Sequence, residues 1–157
     1  MSVVVIGVNN RTMPLDQFER LTVPGDRLAK ALADLSGRRH VSEAVVLSTC
    51  NRTEVYVYAE KFHGAYQDVR DFLGEAAQLA PEDFADHVYA SYDDEAVRHL
   101  FSVVSGLDSA VLGEGEIQGQ VKTAWETARV EGSCASTLNA VFRHALEVGK
   151  RVRTETG

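Results

Sequence analysis

Two strand-type runs lie six residues apart, and that spacing constrains the fold more than any other feature of the chain. Residues 44–47 are Ala, Val, Val and Leu, and residues 54–59 alternate Val55 and Val57 with Tyr56 and Tyr58. β-Branched and aromatic residues at period two suit strands with two different faces. The simplest geometry is an antiparallel hairpin, because a parallel crossover needs a dozen residues or more. Ser48, Thr49, Cys50, Asn51, Arg52 and Thr53 then form its tip.

The flanking segments complete a recognisable order. Residues 2–8 are a β-branched strand, followed by a loop over 9–14. Pro14 suits the start of a short helix over 15–21. Pro24 opens a second helix, with Leu28, Ala31, Leu32 and Leu35 at helical spacing, and Gly37 ends it. A helix over 66–79 carries Val69, Phe72, Leu73 and Ala76 on one stripe; Pro81 stops it, and residues 87–91 are a fourth strand. Strand, helix, strand, strand, helix, strand is the ferredoxin-like βαββαβ arrangement, an antiparallel sheet with helices on one face.

The remainder reads as helical. Asp93 or Asp94 caps a helix with the stripe Val97, Leu100, Phe101 and Val104, which Gly106 interrupts. Ile117, Val121, Ala124, Trp125 and Ala128 define the next helix, ended by Gly132. The last runs from about 136 to the end, with Leu138, Val141, Phe142 and Ala145 on one side. The expected fold class is α+β: a ferredoxin-like subdomain over 1–92 that carries the hairpin tip, then a helical subdomain over 93–157.

Composition narrows the function classes. A net charge of −7 argues against gripping nucleic acid with the whole surface. Arg38, Arg39 and His40 form one local basic cluster, and Arg143, His144, Lys150, Arg151 and Arg153 another. Both read as solvated helix ends and loops, with local contact to nucleic acid as the alternative. No apolar run approaches the roughly 20 residues of a membrane span. The start of the chain has no basic leader and reads as a first strand. Two cysteines, Cys50 and Cys134, carry no sign of an oxidising compartment, and no Cys or His pair has zinc-ligand spacing, so no metal is expected. These features fit a cytoplasmic protein with no membrane association.

Cys50 is the first candidate for chemistry. Free cysteine is often simply a small buried residue. Here it sits at a hairpin tip, where functional groups concentrate, among polar neighbours that could bind substrate. Arg52 is close enough to favour the reactive thiolate over a thiol of pKa about 8.5. Cys134, between helices, reads as structural, and Trp125 belongs to a core stripe.

Two further segments are candidates. Gly113, Gly115 and Gly119 are spaced G-x-G-x-x-x-G, one residue too long for a dinucleotide loop, and no strand precedes them. What remains is a turn feeding a helix, whose free N–H groups could hold a carboxylate or carbonyl oxygen. Glu116 and Gln120, four apart, share the polar side of that helix; a solvated helix face is the alternative. His99 lies off the apolar stripe of its helix. It is either a surface residue or a group facing a cleft, where titration near neutrality suits proton transfer.

Taken together these segments resemble the glutamyl-tRNA reductase family. Ser48-Thr49-Cys50-Asn51-Arg52-Thr53-Glu54-Val55-Tyr56 is similar to its first signature. Ser105 to Ser109, Gly113-Glu114, Ile117 and Gly119-Gln120 resemble its second, and His99 stands at the family's functional histidine. Residues 149–156 resemble the stretch that leads into the family's cofactor domain. Three positions depart from the pattern: Asn9-Asn10 replaces an Asn-His pair, and Glu116 and Gln118 stand where Gln and Leu are usual.

The resemblance implies a mechanism. Cys50 attacks the ester joining glutamate to tRNA and forms a thioester, which NADPH reduces to glutamate-1-semialdehyde for tetrapyrrole (heme) synthesis. Cys50 and His99 are the implied catalytic residues. Thr49, Asn51, Arg52, Ser109, Glu114, Gly115, Glu116 and Gln120 would line the glutamate pocket. The implied partners are glutamyl-tRNA, a second copy of the full-length chain in a homodimer, and the semialdehyde aminomutase that takes the product. The family continues with NADPH-binding and dimerisation domains, so the chain is expected to be an N-terminal piece with no cofactor site of its own. The rival reading is a non-catalytic tRNA- or protein-binding domain with a structural Cys50.

Overall fold

The computed structural model describes residues 1–106 and 116–156, with side chains up to residue 152. The expected hairpin is present. β2 (Val41–Ser48) and β3 (Arg52–Ala59) pair antiparallel, with Ser48 opposite Thr53 and residues 49–51 at the tip. β1 (Ser2–Asn9) pairs with the other side of β3, and β4 (Tyr89–Tyr92) with the other side of β1. The order is β2-β3-β1-β4, antiparallel throughout. The split βαβ topology requires this order, because each helical crossover skips one strand position.

Between β1 and β2 run α1 (Leu15–Arg20) and α2 (Gly25–Ser36). α3 (Phe62–Ala77) and the short α4 (Pro81–Phe84), followed by a 3₁₀ turn, lead to β4. The second half is α5 (Asp93–Val104), α6 (Glu116–Glu131) and α7 (Ser136–Thr156). α3 starts four residues before its expected start at 66, because Phe62 is drawn into an aromatic cluster with Tyr66 and Tyr92. Neither Asp93 nor Asp94 caps α5. The helix starts directly from β4, with Tyr92 extended at the cap position and no side-chain cap bond. Asp93 makes the corner with a left-handed backbone, φ 52°, which Asp tolerates better than most residues.

Every residue of β1 from Val4 to Asn9 is buried, so both faces of the sheet are covered. α2 and α3 pack on one face, and α5 and α7 on the other. Alternation along β3 therefore puts Arg52, Glu54 and Tyr56 on a single face. On that face Tyr56 meets the Phe142 ring edge-on, at 5.3 Å. α5 and α7 approach closely at Gly149, where a Cβ would lie 2.3 Å from Val104 Cγ1.

The free edge of β2 is closed by the α6–α7 connection. Ala44 N–H donates to the Ser133 carbonyl (2.8 Å), and the Ser133 hydroxyl donates back to the Ala44 carbonyl (2.9 Å). Covering an edge in this way removes a template for aggregation. The buried Glu43 carboxylate accepts the N–H groups of Ala135 (2.8 Å) and Leu138 (2.9 Å), donors that the first turn of α7 leaves without helical partners. Glu43→Ala is expected to cost about 1–3 kcal/mol in urea unfolding, the penalty for orphaned buried donors. Glu43→Gln, which keeps an accepting oxygen, should cost less.

Candidate active site

The hairpin tip is a tight, internally bonded turn. Thr49 Oγ1 accepts the N–H groups of Asn51 (3.1 Å) and Arg52 (3.2 Å), and Thr49 N–H donates to the Arg52 carbonyl (2.8 Å). A Thr hydroxyl bonding forward to its own backbone is a standard way to hold such a turn. A second clamp comes from the loop after β1. Asn10 N–H donates to the Asn51 carbonyl (3.0 Å), and Asn10 Nδ2 to Asn51 Oδ1 (3.2 Å). Position 10 is where the resemblance leads one to expect histidine; asparagine holds the turn with a group that does not titrate. Cys50 sits exposed at the apex, as a free thiol. That is unusual for a residue type that prefers burial.

Cys134 is the contrast. It is half-buried, its Sγ lies 3.2 Å from Asn139 Oδ1, and burial with the nearby Glu43 charge pushes its thiol up to about 11. At neutral pH it is a protonated packing group. Trp125 lies in the core, as its stripe implied, and donates to the same Asn139 oxygen at 2.8 Å.

Arg52 points inward and is 4% exposed. Its Nη1 lies 3.4 Å from Glu54 Oε2, so one edge of the guanidinium fork already faces a carboxylate. Glu54 is fully buried and receives a set of donors: the Tyr56 hydroxyl at 2.8 Å, the Tyr89 hydroxyl at 2.5 Å and His99 Nε2 at 2.5 Å. His99, 20% exposed on α5, therefore faces the interior cluster. This favours the cleft-facing reading over the surface one. Burial pushes Glu54 upward, but the His99 hydrogen bond and charge, with Arg52 and Tyr89, outweigh it and leave the carboxyl below its ordinary value. Burial beside that charge pushes both phenols up, so both donate as neutral hydroxyls.

A carboxyl depressed on folding contributes stability above its unfolded pKa, and this is lost as pH falls through the folded value. The chain is expected to lose stability below pH about 4.5, the ordinary value for Glu54. Glu54→Gln should lose less over the same window, as read from urea midpoints between pH 7 and pH 3.

The other expected residues form a second group. Exposed Glu116 and half-buried Gln120, at the start of α6, line a groove of about 540 Å³ with Val23, Leu28 and Ser48. Ser48, two residues before Cys50, joins this groove to the hairpin. Ser109, Glu114 and Gly115 lie outside the described residues. The structure thus brings Arg52 and His99 together on one carboxylate, and Glu116 and Gln120 together beside β2. Glu54, Tyr56 and Tyr89 had no role assigned from sequence. The available signal was Arg52, Glu54 and Tyr56 at period two in a buried strand, since ionisable groups on such a face must be paired.

In the basic cluster at 38–40, Arg39 is exposed, and the other two residues are held in ion pairs. Arg38 is bonded to Asp34 (3.0 Å) and Glu75 (2.5 Å), and His40 to Asp68 (3.1 Å). Among the described residues no group of His, Cys, Asp and Glu is placed to hold a metal ion, and no helix is long and apolar enough to cross a membrane.

Comparison with known proteins places this arrangement. A family model described as "Glutamyl-tRNAGlu reductase, N-terminal domain" matches residues 6–156. The chain is 48% identical over 156 residues to glutamyl-tRNA reductase of Frankia alni, covering 99% of this chain and 33% of that protein. It is 48% identical over 157 residues to the enzyme of the same name from Desulforudis audaxviator, covering 100% and 35%. The solved structure of glutamyl-tRNA reductase from Methanopyrus kandleri superposes with a TM-score of 0.76 at 34% identity, over 98% of this chain and 35% of that one. The chain spans about a third of the length of these relatives.

Proposed function

Because this chain belongs to the glutamyl-tRNA reductase N-terminal domain family, we propose that Cys50 accepts the glutamyl group of glutamyl-tRNA as a thioester. The observation that carries this is the placement of Cys50. It is an exposed free thiol at the apex of a turn held by Thr49 and Asn10, two residues before a buried arginine.

The Cys50 thiolate attacks the ester carbonyl, a sulfur–carbon bond forms, the carbon–oxygen bond breaks, and the terminal ribose oxygen of the tRNA leaves. Sulfur suits both halves of the reaction, since it is strongly nucleophilic and a thioester accepts hydride more readily than an ester. Arg52, which also faces Glu54, pairs with the substrate carboxylate through its planar fork. Thr49 and Asn51 shape the turn, and His99 supplies a proton to the leaving group. Ser109, Glu114, Gly115, Glu116 and Gln120 line the glutamate pocket, with Glu116 contributing through its backbone, since its charge opposes that of a carboxylate substrate.

Hydride from NADPH would convert the thioester to glutamate-1-semialdehyde for tetrapyrrole synthesis in the full-length protein. The described sheet is antiparallel throughout and offers no parallel strand–glycine loop–helix cradle for a dinucleotide. On the family relationship, we assign the reduction, the homodimer contact and product delivery to the aminomutase to the full-length protein. In domain terms, residues 1–92 carry the nucleophile and 93–157 complete the pocket.

The test is incubation of this chain with glutamyl-tRNA labelled in the glutamate, with and without NADPH. A labelled protein adduct that thiols release, without semialdehyde, is the expected result. Semialdehyde would overturn the assignment of reduction elsewhere, and absence of any adduct would overturn the thioester.

A further inference from the structure

Glu54 takes no part in the bond-making described above, yet two groups that do are tied to it. One oxygen, Oε2, receives His99 Nε2 and the Tyr89 hydroxyl, each at 2.5 Å, and Arg52 Nη1 at 3.4 Å; Oε1 receives the Tyr56 hydroxyl at 2.8 Å. We infer that Glu54 is the positioning residue of this site: its buried carboxylate holds the His99 ring turned inward, with Nε2 protonated as the donor. This rests on the thioester reading above.

The bond to Glu54 sets which ring nitrogen donates. An ionised carboxylate only accepts, so the ring nitrogen 2.5 Å from it must carry the hydrogen. Which imidazole nitrogen is protonated is set by the bond its other nitrogen makes. The carboxylate is itself fixed. Opposite it on β1 stands Gly7, where a Cβ would lie 2.8 Å from Glu54 Cγ, so glycine leaves the space that the Glu54 stem occupies, and the donors from Arg52, Tyr56, Tyr89 and His99 hold its two oxygens. Among the described residues, the charged and titratable groups facing the carboxylate are Arg52 and Tyr56 from β3, Tyr89 from β4 and His99 from α5. α7 contributes the uncharged Phe142 ring against Tyr56, and β1 the Val8 carbonyl 3.5 Å from the Tyr89 hydroxyl.

The proton balance follows. The Cys50 thiolate attacks, sulfur–carbon forms and carbon–oxygen breaks. The departing ribose oxygen takes a proton from the His99 imidazolium, leaving neutral His99 with its N–H still on Glu54. A carboxylate at this distance favours the imidazolium, the form that must be present when the tRNA leaves.

The experiment is nitrogen-15 NMR of histidine-labelled chain across pH, beside single-turnover acylation of Cys50 by glutamyl-tRNA. In the wild type, neutral His99 is expected as the Nε2–H tautomer. In Glu54→Gln its titration should move down by about one pH unit or more, and the alkaline limb of the acylation rate should move with it. An Nδ1–H tautomer in the wild type, or an unmoved His99 titration in folded Glu54→Gln, would overturn the inference. Should Glu54→Gln fail to fold, Tyr89→Phe serves. It keeps the carboxylate but removes one donor from Oε2, so His99 should titrate higher, and an unchanged or lower midpoint counts against the role. Absence of acylation in a wild type whose NMR behaves as expected would sink the thioester reading and leave the Glu54–His99 assignment standing.

Discussion

Cys50→Ser is expected to abolish the covalent glutamyl adduct and leave the fold intact. The two outcomes separate because of where the residue sits. Cys50 is exposed at the apex of the β2–β3 turn, whose shape is set by Thr49 Oγ1 and the Asn10–Asn51 pair. Serine preserves size and polarity there, so stability should change by no more than about 0.5 kcal/mol, as for most surface substitutions. The chemistry changes far more. A hydroxyl is a weak nucleophile unless a base takes its proton, and the role proposed for His99 is to give a proton to the leaving group. Labelled adduct measured beside a urea melt decides the matter. An unchanged adduct in Cys50→Ser would mean that the glutamyl group resides elsewhere, and the non-catalytic binding reading would gain.

The largest stability effect is expected at Glu54. Glu54→Ala removes a fully buried carboxylate and deprives Arg52, two tyrosine hydroxyls and His99 of their shared acceptor. Removing one partner of a buried ion pair typically costs about 3–5 kcal/mol, because the remaining charge is left in a poor solvent. That is a large share of the roughly 5–15 kcal/mol by which domains are stable. Urea unfolding at pH 7 measures it, and a loss below about 1 kcal/mol would mean that the cluster relaxes to admit water. Acylation should fall too in whatever fraction remains folded, since both Arg52 and His99 lose their brace.

The family relationship gives these predictions their setting. Within the third of the relatives' length that it spans, the chain contains the hairpin with the cysteine and the helix with the histidine. The structure adds the carboxylate that joins them, and with it a division of labour. Under the proposed function, exposed Cys50 is the group that meets substrate, while Arg52 and His99 are held from the interior by the buried Glu54.

Much of this was legible in the sequence, for reasons that are local. Short spacing between two strand-type runs allowed one simple pairing, and so the place of Cys50 followed. Helical stripes such as Leu28-Ala31-Leu32-Leu35 and Leu138-Phe142-Ala145 announced which faces would be buried, and those residues lie in or against the core. Helix ends were less legible where tertiary contacts overrode them, as at Phe62 and at Asp93, where a strand turns directly into a helix. His99 could be read only as a residue off its apolar stripe. Whether that side met water or a cleft depended on which element lay across from it, and that element comes from 45 residues earlier in the chain.

By itself the sequence determined the hairpin, the strand–helix order and the candidacy of Cys50, because each depends on spacing between near neighbours. Only the tertiary structure decided that Arg52, Tyr56, Tyr89 and His99 converge on Glu54. Such a cluster forms where three strands and a helix meet, and a buried carboxylate is tolerated only because all of those donors arrive together.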